Sequence, residues 1–292
     1  MLITTTIDQT RAAIAAARAA GRTVGLVPTM GFLHVGHLSL IDTARQAGSD
    51  FVVVSIFVNP RQFGPSEDFE KYPRDEERDR ELLQERQVDV VFIPAAGEMY
   101  GPGASTVVKA ADVGVPLEGE RRAGHFDGVA TVVTKLFNIV QPDLAVFGRK
   151  DAQQCAVIAQ LVDDLDIPVR LVFGETVREH DGLAMSSRNS YLSAKERLLA
   201  PVLHRALRAG EEAIRHGVGE VAGIESLMRK IAGETSGIAI DYLAVVDPLT
   251  FRAPEDFNRD LLLAGAMRIG KTRLIDNILV ERAAIPHARV DR

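Results

Sequence analysis

Short and almost continuous apolar runs alternate with helical segments through the first 176 residues of the chain. Five such runs predict strands: TVGLVPT at 23–29, FVVVSIFVN at 51–59, VDVVFIP at 88–94, DLAVFG at 143–148 and PVRLVFG at 168–174. A strand is apolar along its whole length when both of its faces are buried, as is typical of parallel sheets. The alternation therefore predicts an α/β fold, in which helices cover both faces of a parallel sheet.

The segments between these runs repeat apolar residues at helical spacing. They predict helices at 10–21, 38–48, 75–87, 128–140 and 151–165. After about residue 176 the pattern changes to amphipathic helices and further strands, at 193–217, 220–234, 238–248 and 260–280. We therefore expect two domains: residues 1–176 with the parallel sheet, and residues 177–292 as a smaller α+β domain.

The composition is that of a soluble globular protein, with 46% hydrophobic and 25% charged residues. A formal net charge of −6 gives the chain no general attraction to nucleic acid or anionic membranes. Cys155 is the one cysteine, which excludes an internal disulfide and indicates a reducing compartment. Neither a signal-peptide pattern nor a membrane-spanning apolar run is present. We expect a cytoplasmic protein with no nucleic-acid or membrane partner.

The stretch PTMGFLHVGH at 28–37 contains the end of the first predicted strand and the turn that follows it. If a helix begins near Gly36, His34 and His37 lie on the same side of its first turn. Unpaired backbone N–H groups at a helix N-terminus attract anions, and imidazole N–H groups beside them would reach phosphate oxygens. Loop packing is an equally simple alternative. A zinc site is not favoured, because the sequence groups no further Cys, His or carboxylate ligands with this pair.

The stretch MSSRNSYLS at 185–193 lies at the predicted domain junction. Ser186 and Ser187 offer hydroxyl donors, and Arg188 offers a planar fork that suits phosphate. The alternative is a helix N-cap, but the capping box of the next helix lies beyond this triplet. The stretch predicts a mobile anion clamp.

The stretch FGRKDAQQ at 147–154 joins a predicted strand to a predicted helix. Lys150 would project at the carboxyl end of the sheet, where ligands of such folds bind. Gln154 follows one helical turn later and could bind a polar small molecule. A solvated Lys–Asp pair is the ordinary alternative.

Polar side chains also follow the second predicted strand. Asn59 and Gln62 come directly after it, and we expect their amides to face the same crevice. Tyr72 and Asp79 lie downstream, and Asp79 is a candidate magnesium ligand through water. Turn chemistry alone would also explain the Asn-Pro pair.

A glycine-bearing loop with the sequence RRAGHFDGV at 121–129 precedes a predicted helix and carries Arg122 and His125. Its spacing does not distinguish a helix cap with solvated arginines from a functional loop. The chain has no Walker pattern, Gly-x-Gly-x-x-Gly, Gly-x-Ser-x-Gly or cysteine cluster. This argues against P-loop ATPases, ordinary nicotinamide enzymes and α/β-hydrolases.

Together, PTMGFLHVGH, FVNPRQF, HFDGV, FGRKDAQQ and MSSRNSYLS resemble the motif set of the pantothenate synthetase (pantoate–β-alanine ligase) family. His-x-Gly-His and Ser-Ser-Arg mark the wider nucleotidylyltransferase superfamily, shared with class I aminoacyl-tRNA synthetases. Asn-Pro-x-Gln-Phe and Lys-Asp-x-Gln-Gln narrow the resemblance to this family. It runs along essentially the whole chain, including DYLAVVDP and AGAMRIGKTRLIDNI in the second domain.

The resemblance implies a Rossmann-like nucleotide-binding domain, a smaller C-terminal lid and a homodimer. It also implies a ligase of pantothenate biosynthesis that uses ATP as a substrate together with Mg²⁺. In the first step the pantoate carboxylate attacks the α-phosphate of ATP, giving pantoyl adenylate and pyrophosphate. In the second step the amine of β-alanine attacks the activated acyl carbon, giving pantothenate and AMP.

By matching position, the resemblance also implies roles for individual residues. The catalytic groups would be His34, His37, Lys150 and Arg188. ATP would be bound by Met30, His34, Gly36, His37, Gly148, Lys150, Asp151, Val177, Met185, Ser186, Ser187 and Arg188. Pantoate would be bound by Gln62, Gln154, Asn59 and Tyr72.

The chain departs from the usual family pattern at Phe32, Val35, Ala123, Arg149 and Ala152. These are neighbours of the implied contacts, so they bear on rate and loop rigidity rather than on reaction type. Two rival functions are an adenylyltransferase for another acid or phosphate and a non-catalytic nucleotide-binding module. The first would be expected to lack the paired glutamines and Asn-Pro-x-Gln, and the second to lack the phosphate-binding side chains. The sequence has all of them.

Overall fold

A six-stranded parallel sheet, in the order β1-β4-β3-β2-β5-β6, organises the first part of the chain. The structure is a computed structural model that describes residues 1–65 and 67–281. The strands are β1 (Leu2–Thr4), β2 (Val24–Thr29), β3 (Phe51–Ile56), β4 (Val90–Phe92), β5 (Leu144–Gly148) and β6 (Arg170–Gly174). The predicted α/β class is confirmed. Strand β1 was not predicted, because three residues are too short for a periodic signal.

Helices connect these strands and cover both faces of the sheet. They are α1 (Ile7–Ala19), α2 (Val35–Gln46), α3 (Glu76–Glu85), α4 (Ala96–Met99), α5 (Glu118–Arg121), α6 (His125–Val140) and α7 (Ala152–Asp164). Helix α1 begins earlier than predicted, because Thr6 and Gln9 form a capping box there. None of the helices in the described residues is long and apolar enough to cross a bilayer.

The side chains of the central strands alternate between two cores. In β3, Val53 packs in the core formed with α1, α6 and α7, whereas Val52 and Val54 pack in the core formed with α2 and α3. Adjacent strand residues point to opposite faces, and all three are fully buried. This double burial explains why the strands read as continuous apolar runs.

The strand order reverses between β2 and β5, which are neighbours although two strands separate them in the chain. The chain moves outward from β2 through β3 to β4, and then returns to the other side of β2 at β5. At such a point the connections leaving the two strands diverge and open a crevice at their carboxyl ends. The predicted phosphate-binding stretches after β2 and β5 therefore both begin at this crevice.

Up to residue 281, where the described part of the second unit ends, it contains three helices and an antiparallel sheet in the order β7-β8-β9. Its elements are α8 (Ala194–Leu199), α9 (Val202–Arg215), α10 (Val221–Gly233), β7 (Ile238–Val246), β8 (Leu261–Ile269) and β9 (Thr272–Val280). The prediction of one helix over 193–217 differs from the structure, which has two. Pro201 separates them, because proline lacks the N–H that a continuous helix requires.

The compact units are Met1–Ser193 and Ala194–Arg292, so the first unit extends beyond the predicted boundary at 176. The additional segment is held by the first unit: Ser187 Oγ donates to the carbonyl of Phe32 at 3.2 Å. The bidentate pair of Arg188 with Asp68 ties it to the same unit. The Ser-Ser-Arg segment therefore belongs to the unit with the parallel sheet rather than to a C-terminal lid. Residues 282–292 of the predicted second domain lie outside the described residues.

Candidate active site

One cavity lies at the carboxyl ends of β2, β3, β5 and β6. Every residue that the sequence analysis assigned to ATP or pantoate lines it, and Asp79 does not. The loops after the strands deliver these side chains: His34 follows β2, Gln62 follows β3, Lys150 follows β5 and Val177 follows β6. Residues far apart in the sequence thus meet because parallel strands end at the same edge of a sheet.

Each histidine of the first motif accepts a backbone hydrogen bond at Nδ1. His34 is the N-cap of α2, and its Nδ1 accepts from the backbone N–H of Gly36 at 3.1 Å. His37 Nδ1 accepts from the backbone N–H of His34 at 3.3 Å. A ring nitrogen that accepts carries no proton, so each neutral imidazole carries its proton on Nε2. The two Nε2–H groups are left to donate to a ligand.

Both imidazoles are kept neutral. Burial is the largest cause and, with the charge of Lys150, lowers the pKa of His34 to about 4. The pKa of His37 lies well below its ordinary value because of burial, then the neighbouring His34 and Lys150. At neutral pH the pair therefore offers two neutral N–H donors, while Lys150 supplies positive charge.

Lys150 reaches the cavity from the turn between β5 and α7, and Gln154 reaches it from the first turn of α7. Lys150 Nζ lies 3.7 Å from Asp151 Oδ2, and the Lys150 side chain is 20% exposed. Of the paired glutamines, Gln154 lines the cavity. Gln153 faces away from it, since its amide nitrogen donates to the carbonyls of Val113 and Pro116 at 2.8 and 2.7 Å. One glutamine of the motif is therefore available to a ligand, and the other holds a loop.

The side-chain amide of Asn59 makes all of its hydrogen bonds to other groups of the protein. Its Oδ1 accepts from the backbone N–H of Arg61 at 3.2 Å and from the hydroxyl of Tyr100 at 2.9 Å. Its Nδ2 donates to the carbonyl of Gly128 at 3.1 Å and to Gln62 Oε1 at 3.2 Å. An amide has two donor and two acceptor positions, so none remains for a substrate. The structure therefore gives Asn59 an indirect role, in place of the predicted direct contact with pantoate.

The bond from Asn59 also determines which end of the Gln62 amide a ligand meets. Gln62 Oε1 accepts a hydrogen bond from Asn59, and Gln62 Nε2 lies 3.1 Å from the weakly accepting sulfur of Met30. Gln62 therefore presents N–H donors to the cavity, which suit a carboxylate or hydroxyl oxygen.

Substitution of Gly128 should displace this glutamine. A Cβ at Gly128 would lie 2.2 Å from the carbonyl oxygen of Arg61 and 2.7 Å from Cα of Gln62. We expect Gly128→Ala to push the 60–62 turn away from α6 and to raise KM for the ligand of Gln62 by about 10-fold. Gly97→Ala is the matched control, since a Cβ there meets nothing within 4 Å. Equal steady-state constants for the two variants would contradict the expectation.

Arg188 lines the cavity and forms an ion pair with Asp68. Its Nε and Nη2 donate to the Asp68 carboxylate at 2.8 and 2.9 Å, which leaves Nη1 as the remaining nitrogen. Burial acts to lower the pKa of Arg188, but the bond to Asp68 outweighs it and raises the pKa. Its guanidinium lies 5.6 Å from the centre of the Tyr72 ring, which is also buried in the cavity wall. Arg188 is therefore a fixed cation beside the cavity.

The serines before Arg188 both take part in the local fold. Ser186 Oγ accepts from the backbone N–H of Arg188 at 3.3 Å and caps the 3₁₀ turn Ser187–Tyr191. The N-cap interpretation of this stretch thus describes Ser186 correctly. Its neighbour Met185 donates its backbone N–H to the carbonyl of Val177 at 3.0 Å, which brings both residues to the cavity wall.

Asp79 holds the loop between β2 and α2 instead of facing the cavity. Its carboxylate accepts from the backbone N–H groups of Phe32 and Leu33, both at 2.7 Å, and it is 1% exposed. Burial, the largest cause, raises its pKa. The structure therefore does not support the predicted magnesium contact at Asp79. In the described residues no group of three or more His, Cys, Asp or Glu side chains could hold a metal ion.

One loop and one wall of the cavity were not assigned to the site from the sequence. Arg122 and His125, from the undecided RRAGHFDGV stretch, both line the cavity. The missed wall is an apolar stripe of α6 formed by Val129, Val132, Val133 and Leu136. The i, i+3, i+4, i+7 spacing of this stripe was visible in the sequence, but a core helix would show the same pattern.

The buried neutral histidines should make the fold sensitive to acid. Burial is the largest cause of the lowered pKa values of His34 and His125, each about 4. Between pH 6.5 and 4 the unfolded chain binds protons at these sites and the folded chain does not, so stability falls as pH falls. We expect each histidine to remove about 2 kcal/mol from the free energy of unfolding between pH 7.5 and 5. Urea unfolding at several pH values measures this.

A His125→Asn variant tests that assignment, since it removes one of the titrating rings. We expect its stability to fall by about 2 kcal/mol less over the same range. The Glu67 and Asp68 carboxylates have lowered pKa values despite their burial, because Arg122 and Arg188 bind them, so they lose charge only at still lower pH. If the variant lost as much unfolding free energy between pH 7.5 and 5 as the wild type, His125 would have no part in the acid response.

Comparisons with known proteins agree on one family. A family model described as pantoate-beta-alanine ligase matches residues 2–279. The pantothenate synthetase of Herpetosiphon aurantiacus is 50% identical over 281 residues, covering 96% of this chain and 100% of that protein. The pantothenate synthetase of Moorella thermoacetica is 51% identical over 276 residues, covering 94% and 97%.

Two solved structures are also similar. The pantothenate synthetase of Thermus thermophilus has a TM-score of 0.91 and 47% identity, covering 96% of this chain and 100% of that one. The pantoate-beta-alanine ligase of Francisella tularensis, complexed with beta-gamma ATP and beta-alanine, has a TM-score of 0.80 and 33% identity, covering 97% and 99%.

Proposed function

We propose that this chain, which belongs to the pantoate–β-alanine ligase family, condenses pantoate with β-alanine, using ATP and releasing AMP and pyrophosphate. The observation that carries the proposal is a cavity that combines imidazole, lysine and arginine side chains with amide side chains beside an apolar wall. ATP and pantoate both need such a cavity, because the first step joins them.

In the first step a pantoate carboxylate oxygen attacks the α-phosphorus of ATP, and the bond to pyrophosphate breaks. Negative charge develops on the phosphate oxygens during this attack. Lys150 would neutralise that charge, and the Nε2–H groups of His34 and His37 would donate to the same oxygens. Arg188 would add a contact through Nη1, the nitrogen that Asp68 does not take.

Pantoate itself presents a carboxylate, two hydroxyls and a carbon bearing two methyl groups. The Nε2–H donors of Gln62 and the side chain of Gln154 would bind the oxygens, with Tyr72 nearby. The apolar stripe of α6 would pack against the two methyl groups, since burying each methyl removes apolar surface from water. A mixed polar and apolar wall of this kind suits pantoate better than a purely polar acid.

In the second step the β-alanine amine, as the free base, attacks the acyl carbon of pantoyl adenylate. The new C–N bond forms, the amine loses a proton and the C–O bond to AMP breaks. AMP is a far better leaving group than the hydroxide that a free carboxylate would expel. Holding the adenylate in the cavity gives the amine a fixed target.

Magnesium would accompany the triphosphate. Mg²⁺ is usually held by substrate phosphates, water and one or two carboxylates. Asp151 and Glu175 are the carboxylates that line the cavity in the described part of the chain, so the donor set fits such a shared site. The bound ion would screen the negative charge of the phosphates, and no protein-only metal cage is required.

The assembly and location of the enzyme are also part of the proposal. The family resemblance supports a homodimer, and sedimentation equilibrium of the purified protein would test it. A cytoplasmic location is supported by the single buried, unpaired cysteine, Cys155. Cell fractionation would test this location.

Pyrophosphate release separates this function from its rivals. We expect release that requires both ATP and pantoate, in single-turnover amount without β-alanine and continuously with it. Release that requires a different acid would instead indicate an adenylyltransferase of other specificity. Binding of ATP without release for any acid would indicate a non-catalytic nucleotide-binding module.

A further inference from the structure

Arg122 and His125 line the cavity, yet the proposed reaction gives them no task. His125 is the first residue of α6 and is 9% exposed. Its Nδ1 lies 2.8 Å from the carbonyl oxygen of Gln62, and its Nε2 lies 2.9 Å from Arg122 Nη1. The ring therefore connects the half-buried Arg122 to the backbone of Gln62, a residue predicted to bind pantoate.

The proton of His125 can be assigned from its neighbours. A guanidinium only donates, so Nε2 of His125 must accept from Arg122. The ring proton is then on Nδ1, from which it donates to the carbonyl of Gln62. Arg122 is itself fixed, because its Nε and Nη2 donate to the Glu67 carboxylate at 2.9 and 2.7 Å. Donation thus runs in one direction, from Arg122 to His125 and from His125 to Gln62.

Gln62 is consequently held at both ends. His125 holds its main-chain carbonyl, while Asn59 holds its side-chain oxygen at 3.2 Å. Arg122 Nη2 reaches the same carbonyl only at 3.5 Å, which makes it a weaker substitute. Without the His125 donor, the carbonyl of Gln62 would lose its main partner, and the short 60–62 turn would be held less firmly at Gln62. Rotation of the turn would swing the Gln62 amide away from its direction into the cavity.

We propose that His125, fixed by Arg122, is a positioning residue that sets the orientation of the Gln62 amide for pantoate. This inference rests on the proposed function, in which Gln62 binds pantoate. Burial, and after it the positive charge of Arg122, lowers the pKa of His125 to about 4. The neutral ring that both hydrogen bonds require therefore persists at neutral pH.

Three substitutions at His125 separate positioning from general stability. An asparagine at this position places its amide N–H near the position of the imidazole Nδ1, whereas a glutamine places its amide near the position of Nε2. We expect His125→Ala and His125→Gln to raise KM for pantoate by about 10-fold, with KM for ATP changed less than about 2-fold. We expect His125→Asn to restore a near-normal KM for pantoate. The exposed His216, on the other unit, gives the control variant His216→Ala.

The double variant Gln62→Ala with His125→Ala tests whether the effect passes through Gln62. If it does, the second substitution will raise KM for pantoate no further than Gln62→Ala alone. An additional 10-fold rise, or equal constants for the Asn and Gln variants, would overturn the inference. Thermal unfolding of each variant shows whether a loss of activity reflects only a loss of fold.

Crystal structures of the His125→Ala and His125→Asn variants supply a readout that does not depend on turnover. We expect the Gln62 amide to leave Asn59 in the first and to keep its place in the second. An unmoved Gln62 in the Ala variant would refute the positioning role even if the enzyme uses pantoate. Conversely, a wild-type enzyme that releases no pyrophosphate with pantoate would refute the proposed function, whatever the crystal structures show.

Discussion

Replacing Lys150 with alanine is expected to reduce pantoate-dependent pyrophosphate release on the order of 10³-fold. The two histidines beside it are neutral, so Lys150 carries the positive charge on that side of the cavity. Charge on the α-phosphate oxygens grows as the carboxylate attacks, and a fixed cation stabilises that state more than the ground state. The first step, measured as release in a single turnover without β-alanine, should therefore slow far more than ATP binding weakens.

The control for this substitution is Lys109→Ala, which removes an exposed lysine that does not line the cavity. We expect that variant to keep wild-type activity. Lys150→Arg keeps the charge but alters its shape and reach, and should recover only part of the rate. A Lys150→Ala enzyme with turnover within about 3-fold of wild type would contradict the role, provided its thermal unfolding is unchanged.

Loss of the His37 imidazole is expected to slow adenylate formation about 10²-fold, the second largest effect. The ring has two separable functions, since its Nδ1 accepts from the backbone of His34 and its Nε2–H is left for a phosphate oxygen. His37→Asn can preserve the first function, and His37→Gln can place a donor near the second. We expect Gln to retain about 10-fold more activity than Asn in single-turnover pyrophosphate release.

If His37→Asn retained more activity than His37→Gln, His37 would act only as a capping residue of α2. The pH profile gives a further check. Because the pKa of His37 is well below its ordinary value, chiefly through burial, the rate should not follow an imidazole titration near pH 6.5. A fall in rate centred near that pH, and lost in His37→Gln, would show that the histidine acts as a cation.

Most strands and helices of the first unit could be predicted from residue patterns within short segments of the sequence. The strand runs, such as Phe51–Ile56, are apolar throughout because each strand is buried on both faces. The division after Ser193 could not be read in this way, because the bond of Ser187 to Phe32 joins residues far apart in the chain. The break at Pro201 was readable in principle, since proline interrupts helices for a local steric reason.

The motifs of the site proved to serve two purposes at once. His34 caps a helix through Nδ1 and also lines the cavity, so the loop-packing interpretation of its motif is correct, and phosphate binding by the same ring is part of the proposed function. Ser186 likewise caps a turn and lines the cavity. A short motif shows that both uses are chemically available, and it cannot say how the atoms are divided between them.

The amino-acid sequence by itself determined the parallel sheet and the kinds of groups that meet at its carboxyl edge, because strand burial and strand-end position are local properties. Only the tertiary structure decided which atoms remain for substrate. All four hydrogen-bonding positions of the Asn59 amide are taken by groups of the protein, and Asp79 binds two backbone N–H groups away from the cavity, whereas Gln62 keeps its N–H donors. Hydrogen-bonding capacity is finite, and the groups that consume it come from distant parts of the chain.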